Sequence, residues 1–166
     1  MDTSNKILTR TALRTKLEEH RAHGESIVLA NGVFDILHVG HVRYLEAAKK
    51  EGDILVVGIN ADSSVRPLKG PGRPILAEPA RAALVAALRC VDYVVIFDEP
   101  NVKQLLHDLR PNVHAKGTDY TIDTVPERET SKKLSIRTAI VGDPKDHSTR
   151  DLITAVRDKA RHRRSS

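Results

Sequence analysis

His38 and His41 stand three residues apart with Gly40 between them, directly after an apolar run and at the head of a helical pattern. In the first turn of a helix, unpaired N–H groups and the helix dipole favour an anion, and glycine lets backbone come close to it. Two imidazoles at that spacing can donate hydrogen bonds to the oxygens of one phosphate. The local alternative is that His38 caps or packs and His41 is a surface residue. Lys69-Gly-Pro-Gly-Arg73-Pro74 is a glycine-rich turn with two cations, suited to phosphate or equally to ordinary surface charge. In Lys116-Gly117-Thr118-Asp119-Tyr120, glycine permits a tight turn, lysine reaches phosphate, and aspartate accepts from sugar hydroxyls; alone, the segment reads as a polar turn. Ser148 and Thr149, behind Asp146 and His147, form a good helix start, and capping and phosphate binding use the same free N–H groups. Asp35 has three readings: orienting His38, binding acceptor hydroxyls, or stabilising its loop. Arg81 is an ordinary helix charge on pattern alone. His107, His114, His147 and His162 have no evident partners and read as structural or exposed. No cluster has the spacing of a protein-held metal site, so Mg2+ would arrive on a phosphate-bearing ligand and keep its waters.

These residues need elements to hold them. Thr9 is placed to cap a helix carrying Leu13 and Leu17 and stopped by Gly24. Strands are expected at Ser26–Ala30, Asp53–Asn60, Tyr93–Phe97, Val113–Ala115 and Ser135–Val141. Helices are expected at Gly40–Lys50, Ala80–Arg89, Asn101–Leu109 and Thr149–Ala160. The stretches 62–79 and 116–130 read as loops with at most short turns. Short apolar strands alternating with helices predict an α/β fold: a Rossmann-like, doubly wound parallel sheet of about five strands with helices on both faces. Such sheets bind ligands beyond the carboxyl ends of their strands, which is where all four polar segments fall.

Composition narrows the function. The 166 residues are 40% apolar and 30% charged, as in one globular domain, and Cys90 is the only cysteine. A disulfide or multi-cysteine zinc site within the chain is excluded, and a reducing cytoplasm is the expected compartment. No apolar run reaches the length of a membrane span, and the polar start lacks a signal-peptide profile. Of the net charge of +5, the segment Arg157–Arg164 carries +4, so the basic excess reads as a solvated, frayed tail rather than a nucleic-acid-binding face. Five aromatics offer few platforms for stacking bases. Neither a nucleic acid nor a membrane is an expected partner.

His38, Gly40 and His41 match the signature of the H-x-G-H nucleotidyltransferase superfamily, which the chain resembles. Its members transfer a nucleotidyl group from a nucleoside triphosphate to a phosphate-bearing acceptor and release pyrophosphate. Gly32-Val33-Phe34-Asp35 resembles the family's phosphate loop. Ser148-Thr149 resembles its second signature, with Arg150 standing where a further Thr is common. Within the superfamily the likeness is to the heptose 1-phosphate adenylyltransferases of bacterial lipopolysaccharide precursor synthesis. It is carried by Asn31–His41, by Asn60-Ala-Asp62 with Leu68–Pro74, and by Lys116–Tyr120, and runs from about Ile27 to Ile153. Glycerol-3-phosphate cytidylyltransferases share it more loosely. Arg81 resembles an arginine of the relatives.

The resemblance implies ATP, or alternatively CTP, and a phosphorylated sugar as substrates. It also implies a separate sugar kinase upstream, because the kinase domain fused in many members is not in this chain, and a homodimer. It assigns His38, His41 and Lys69 to catalysis. Gly32, Val33, Phe34, Gly40, Ser148, Thr149 and Arg150 fall to the nucleotide; Asp35, Asp62, Arg73, Lys116, Gly117 and Asp119 fall to the acceptor. A different class of protein, a nucleotide sensor that transfers nothing, uses the same fold.

Overall fold

The computed structural model describes residues 3–144 and 148–162. Five parallel strands form one sheet in the order β3-β2-β1-β4-β5: β1 Ile27–Gly32, β2 Ile54–Asn60, β3 Tyr93–Phe97, β4 Val113–Gly117 and β5 Arg137–Val141. The order reverses at β1, so the crevice expected to receive a ligand opens between β1 and β4. The β1–β4 pairing ends at Ala30 with Ala115, although β1 continues to Gly32 and β4 to Gly117. The two strands therefore part at their carboxyl ends.

Both faces of the sheet are covered. On one, Leu45 and Ala48 of α2 (Val39–Lys49) and Ala82, Val85 and Ala86 of α4 (Glu78–Ala86) pack on Val28, Ala30, Val57 and Ala115. On the other, Leu13 and Leu17 of α1 (Arg10–Ala22) and Leu105, Leu106 and Leu109 of α5 (Lys103–Leu109) pack on Ile27, Leu29 and Val56. Thr9 caps α1 as its position predicts, its hydroxyl accepting from the Ala12 N–H at 3.3 Å. Because side chains alternate along a strand, Asn31, His114 and Lys116 face the α1/α5 layer.

Two loop expectations are overturned. The stretch 62–79 contains helix α3 (Asp62–Lys69) and the start of α4. Pro67, which removes one helical hydrogen bond, argues locally against α3. Its first turn is instead fastened from a distance: the Asp62 N–H donates to Glu78 Oε2 at 2.7 Å, and Arg81 grips the Asp62 carboxylate. Asp62 at its start and Arg66 and Lys69 in its last turn also suit the helix dipole. The stretch 116–130 gives up Lys116 and Gly117 to β4, and Arg128 onward to α6 (Arg128–Lys133). That short helix buries only Ser131, so it leaves no apolar period to read. The last helix, α7 (Thr149–His162), continues through part of the basic tail.

Candidate functional site

The loop between β1 and α2 is held in an unfavourable conformation. Phe34 and Ile36 both have positive φ, +50° and +56°, which is costly for side chains of their shape. Asp35 between them holds the loop in place. It is 2% exposed, and its carboxylate accepts from Arg73 Nε at 2.7 Å and from the Ile75 and Leu76 N–H groups at 2.9 and 3.0 Å. Burial pushes this carboxyl up, but the Leu76 and Ile75 amides and the Arg73 guanidinium outweigh it and hold its pKa below the usual value. Of the three readings of Asp35, loop stabilisation fits; its oxygens are occupied by the protein and not held out to an acceptor. The Phe34 ring lies against Gly32, where a Cβ would meet it at 3.1 Å, so this glycine makes room for the ring.

That ring in turn meets His41 edge-on, 5.2 Å between centroids at 67°. His38 takes the N-cap position of α2 and His41 lies in its first turn. Their rings stack at 3.8 Å and 27°, and the His38 N–H donates to His41 Nδ1 at 3.4 Å. With Nδ1 accepting, a neutral His41 ring carries its hydrogen on Nε2. Gly40 lies between the two in the same turn.

Arg81 ties this loop to the end of β2 and the start of α3, a role that its helix position did not announce. Fully buried, Arg81 donates to Leu76 O (2.9 Å), Val33 O (2.6 Å), Asn60 O (2.8 Å) and Asp62 Oδ1 (2.7 Å). Asp62, expected at the acceptor, is thereby engaged in the scaffold. The tip of the glycine-rich turn is open: Lys69 is exposed, and Gly70 and Gly72 have φ of +86° and +76° with nothing within 4 Å of an added Cβ. Beside it lies a hollow of about 590 Å3 edged by Asp62, Arg66 and Arg73, which neither histidine lines. Arg73 gives its Nε to Asp35, and its other nitrogens have no protein acceptor among the described residues.

Across the crevice, Lys116 is 7% exposed. It makes one long contact, 3.4 Å to Glu127 Oε2, and lies 4.7 Å from the centre of the Tyr120 ring. Glu127, 5% exposed, is a member of the site that its own surroundings in the sequence did not suggest. A Cβ on Gly117 would lie 2.9 Å from Asp119 Oδ1, so this glycine lets the carboxylate fold back over the strand end. Tyr44 of α2 donates to Ala115 O at 2.9 Å, bracing β4 where the pairing with β1 stops. At the start of α7 the Ser148 hydroxyl accepts from the Asp151 N–H and donates to Asp151 Oδ2, while Thr149 Oγ1 donates to Asp35 O at 2.9 Å. Thr149 thus ties the start of α7 to the loop between β1 and α2. Arg150 is exposed in the first turn, and Lys145–His147 lie outside the described residues.

Among the described residues no group of three or more His, Cys, Asp or Glu side chains could hold a metal, and no helix is long and apolar enough to cross a membrane.

Residues 29–162 match a family described as Cytidylyltransferase-like. The chain is 43% identical over 159 residues to the bifunctional protein HldE of Syntrophotalea carbinolica, and 44% identical over 158 residues to that of Pelobacter propionicus. Those stretches cover 96% and 95% of this chain but 32% of each relative, so the chain spans about a third of their length. The crystal structure of the lipopolysaccharide core biosynthesis protein of Thermoplasma volcanium is 31% identical with a TM-score of 0.64, covering 74% of this chain and all of that one.

Proposed function

The chain belongs to the cytidylyltransferase-like family, and we propose that it transfers AMP from ATP to a sugar 1-phosphate, heptose 1-phosphate by the likeness of its three motif segments, with release of pyrophosphate. One observation carries this reading: the stacked His38–His41 pair in the first turn of a helix at the rim where the strand order reverses.

An oxygen of the acceptor phosphate attacks the α-phosphorus in line. The new O–P bond forms as the bond to the β-phosphate oxygen breaks, and pyrophosphate leaves with its charge. The acceptor is already anionic, so no covalent enzyme intermediate is needed. The protein positions two anions that repel each other and stabilises charge on the α-phosphoryl and leaving oxygens. His41 Nε2–H and the His38 ring donate to those oxygens. Gly32, Val33, Phe34 and Gly40 shape the backbone around the phosphates, while the first turn of α7, with Ser148, Thr149 and Arg150, faces the outer ones. Lys69 at the open tip offsets the repulsion. Arg73 holds the acceptor phosphate in the hollow beside α3, and Lys116, Gly117 and Asp119 close the far side. Asp35 and Asp62 serve this site by holding its walls. Mg2+ belongs to the triphosphate. A phosphate on the acceptor's anomeric oxygen has to be installed first, which calls for a sugar kinase upstream.

The experiment is pyrophosphate release with ATP and CTP, each crossed with heptose 1-phosphate and glycerol 3-phosphate. Release is expected with ATP and heptose 1-phosphate together and with neither alone. Silence in every combination would leave a nucleotide-binding protein without transfer.

A further inference from the structure

Asn31 and His114 meet across the crevice between β1 and β4. His114 is fully buried, and its Nε2 lies 2.9 Å from Asn31 Oδ1. Its Nδ1 is buried without a hydrogen-bond partner. Burial, and then the nearby Lys116 charge, pull its pKa down to about 3, so the ring is neutral at physiological pH. A neutral imidazole has one donor and one acceptor, and facing a carbonyl oxygen the donor has to be Nε2–H. That bond sets the orientation of the Asn31 carboxamide: Oδ1 toward His114, Nδ2 away from it. Among the described residues Nδ2 meets no protein acceptor.

The position of this amide gives the arrangement its meaning. Asn31 is the first β1 residue beyond the last pair with β4, so it stands at the mouth of the crevice. It directly precedes Gly32 of the phosphate loop and shares a sheet face with Lys116. His114 lies between Val113 and Ala115, where an aliphatic side chain would avoid burying the unmet Nδ1. Its benefit must therefore lie in what it does to Asn31.

We propose that Asn31 donates a hydrogen bond from Nδ2 to a substrate oxygen at the mouth of the crevice, and that His114 is the positioning residue that holds the carboxamide in the donating orientation. The proposal rests on the nucleotidyl-transfer reading. A neutral amide serves a phosphoryl oxygen or a sugar hydroxyl equally, and the two substrates distinguish which it meets.

The test is steady-state pyrophosphate release by the full chain, with KM measured separately for ATP and for heptose 1-phosphate. Asn31→Ala should lower kcat/KM about tenfold for the contacted substrate and not for the other. His114→Leu should weaken the same substrate about threefold, and His114→Gln, whose amide can still donate, should recover part of that loss. In an Asn31→Ala background His114→Leu should cost nothing further, because its effect passes through Asn31. The proposal is overturned if Asn31→Ala stays within about twofold of wild type in kcat and both KM values, or if His114→Leu costs as much with Asn31 absent as with it present. Should the His114 variants not fold, NMR of the wild type gives the answer: the Asn31 side-chain NH2 signals should move on saturation with ATP alone or with the acceptor alone. If they move with neither, Asn31 is not a contact. A wild type that releases no pyrophosphate at all would defeat the nucleotidyl-transfer reading instead, and the NMR titration would still report on Asn31.

Discussion

Two buried cations flank the carboxyl end of β1, and the protein satisfies them very differently. Arg81 makes four hydrogen bonds of 2.6 to 2.9 Å, to Leu76, Val33, Asn60 and Asp62. Lys116 has three ammonium hydrogens, one contact at 3.4 Å and the face of a tyrosine ring. Charge-assisted hydrogen bonds are ordinarily about 2.7–2.9 Å, so the first cation, with all three nitrogens bonded, is close to saturated and the second is not. A saturated buried cation is part of the scaffold. One with unused donors beside an opening crevice is placed to meet an incoming anion.

The largest expected effect is on the saturated side. Arg81→Met leaves Asp62 and three carbonyls without their partner and should cost about 3–5 kcal/mol of stability in urea unfolding. Arg81→Lys should recover little, because an ammonium cannot reproduce the forked geometry. Next is the histidine pair: His41→Ala should lower kcat by about 10²–10³ with stability nearly unchanged. A kcat within tenfold of wild type would remove His41 from the chemistry.

The unsaturated side should respond in binding. Replacing both partners, Lys116→Met with Glu127→Gln, removes a buried charge pair together and should change stability by about 1 kcal/mol or less. The same variant should raise KM for at least one substrate about tenfold, as loss of a charged hydrogen bond does. If it instead lowers stability by several kcal/mol while both KM values stay at wild type, Lys116 is scaffold like Arg81.

The smallest effect is a pH slope. His114 titrates near 6.5 when unfolded and about 3 when folded, so the unfolded chain binds more protons between those values. Its contribution is complete above about pH 6.5 and declines by up to about 1.4 kcal/mol per unit as the pH falls toward 3. Unfolding midpoints of wild type and His114→Gln should therefore draw together between pH 7 and pH 4.5. Parallel curves would mean that the ring takes up its proton in the fold at the same pH as in the unfolded chain. Asp35 has a depressed pKa, so its contribution is likewise present above the usual carboxylate range and is lost as the pH falls below it.

What could be read in advance divides along the same line. The strands and α2 were legible because their apolar periods and stop residues are local, and His38 and His41 because their spacing is. Helix α3 was not, since its first turn is fastened by Glu78 and Arg81, sixteen and nineteen residues away. Asp35 and Asp62 looked like ligands because an unpaired carboxylate and one already held by arginine are identical letters. Lys116 stood out only by its motif, and Glu127, eleven residues on, gave no sign that it would fold back against it. The Asn31–His114 contact spans 83 residues and required the strand order.

The most direct test of the account is a crystal structure with the α,β-methylene analogue of ATP. The α-phosphoryl group is expected within hydrogen-bond reach of His41 Nε2 and the His38 ring, with the outer phosphates at the first turn of α7. A nucleotide bound away from the β1–β4 crevice, or both rings turned from its phosphates, would contradict it.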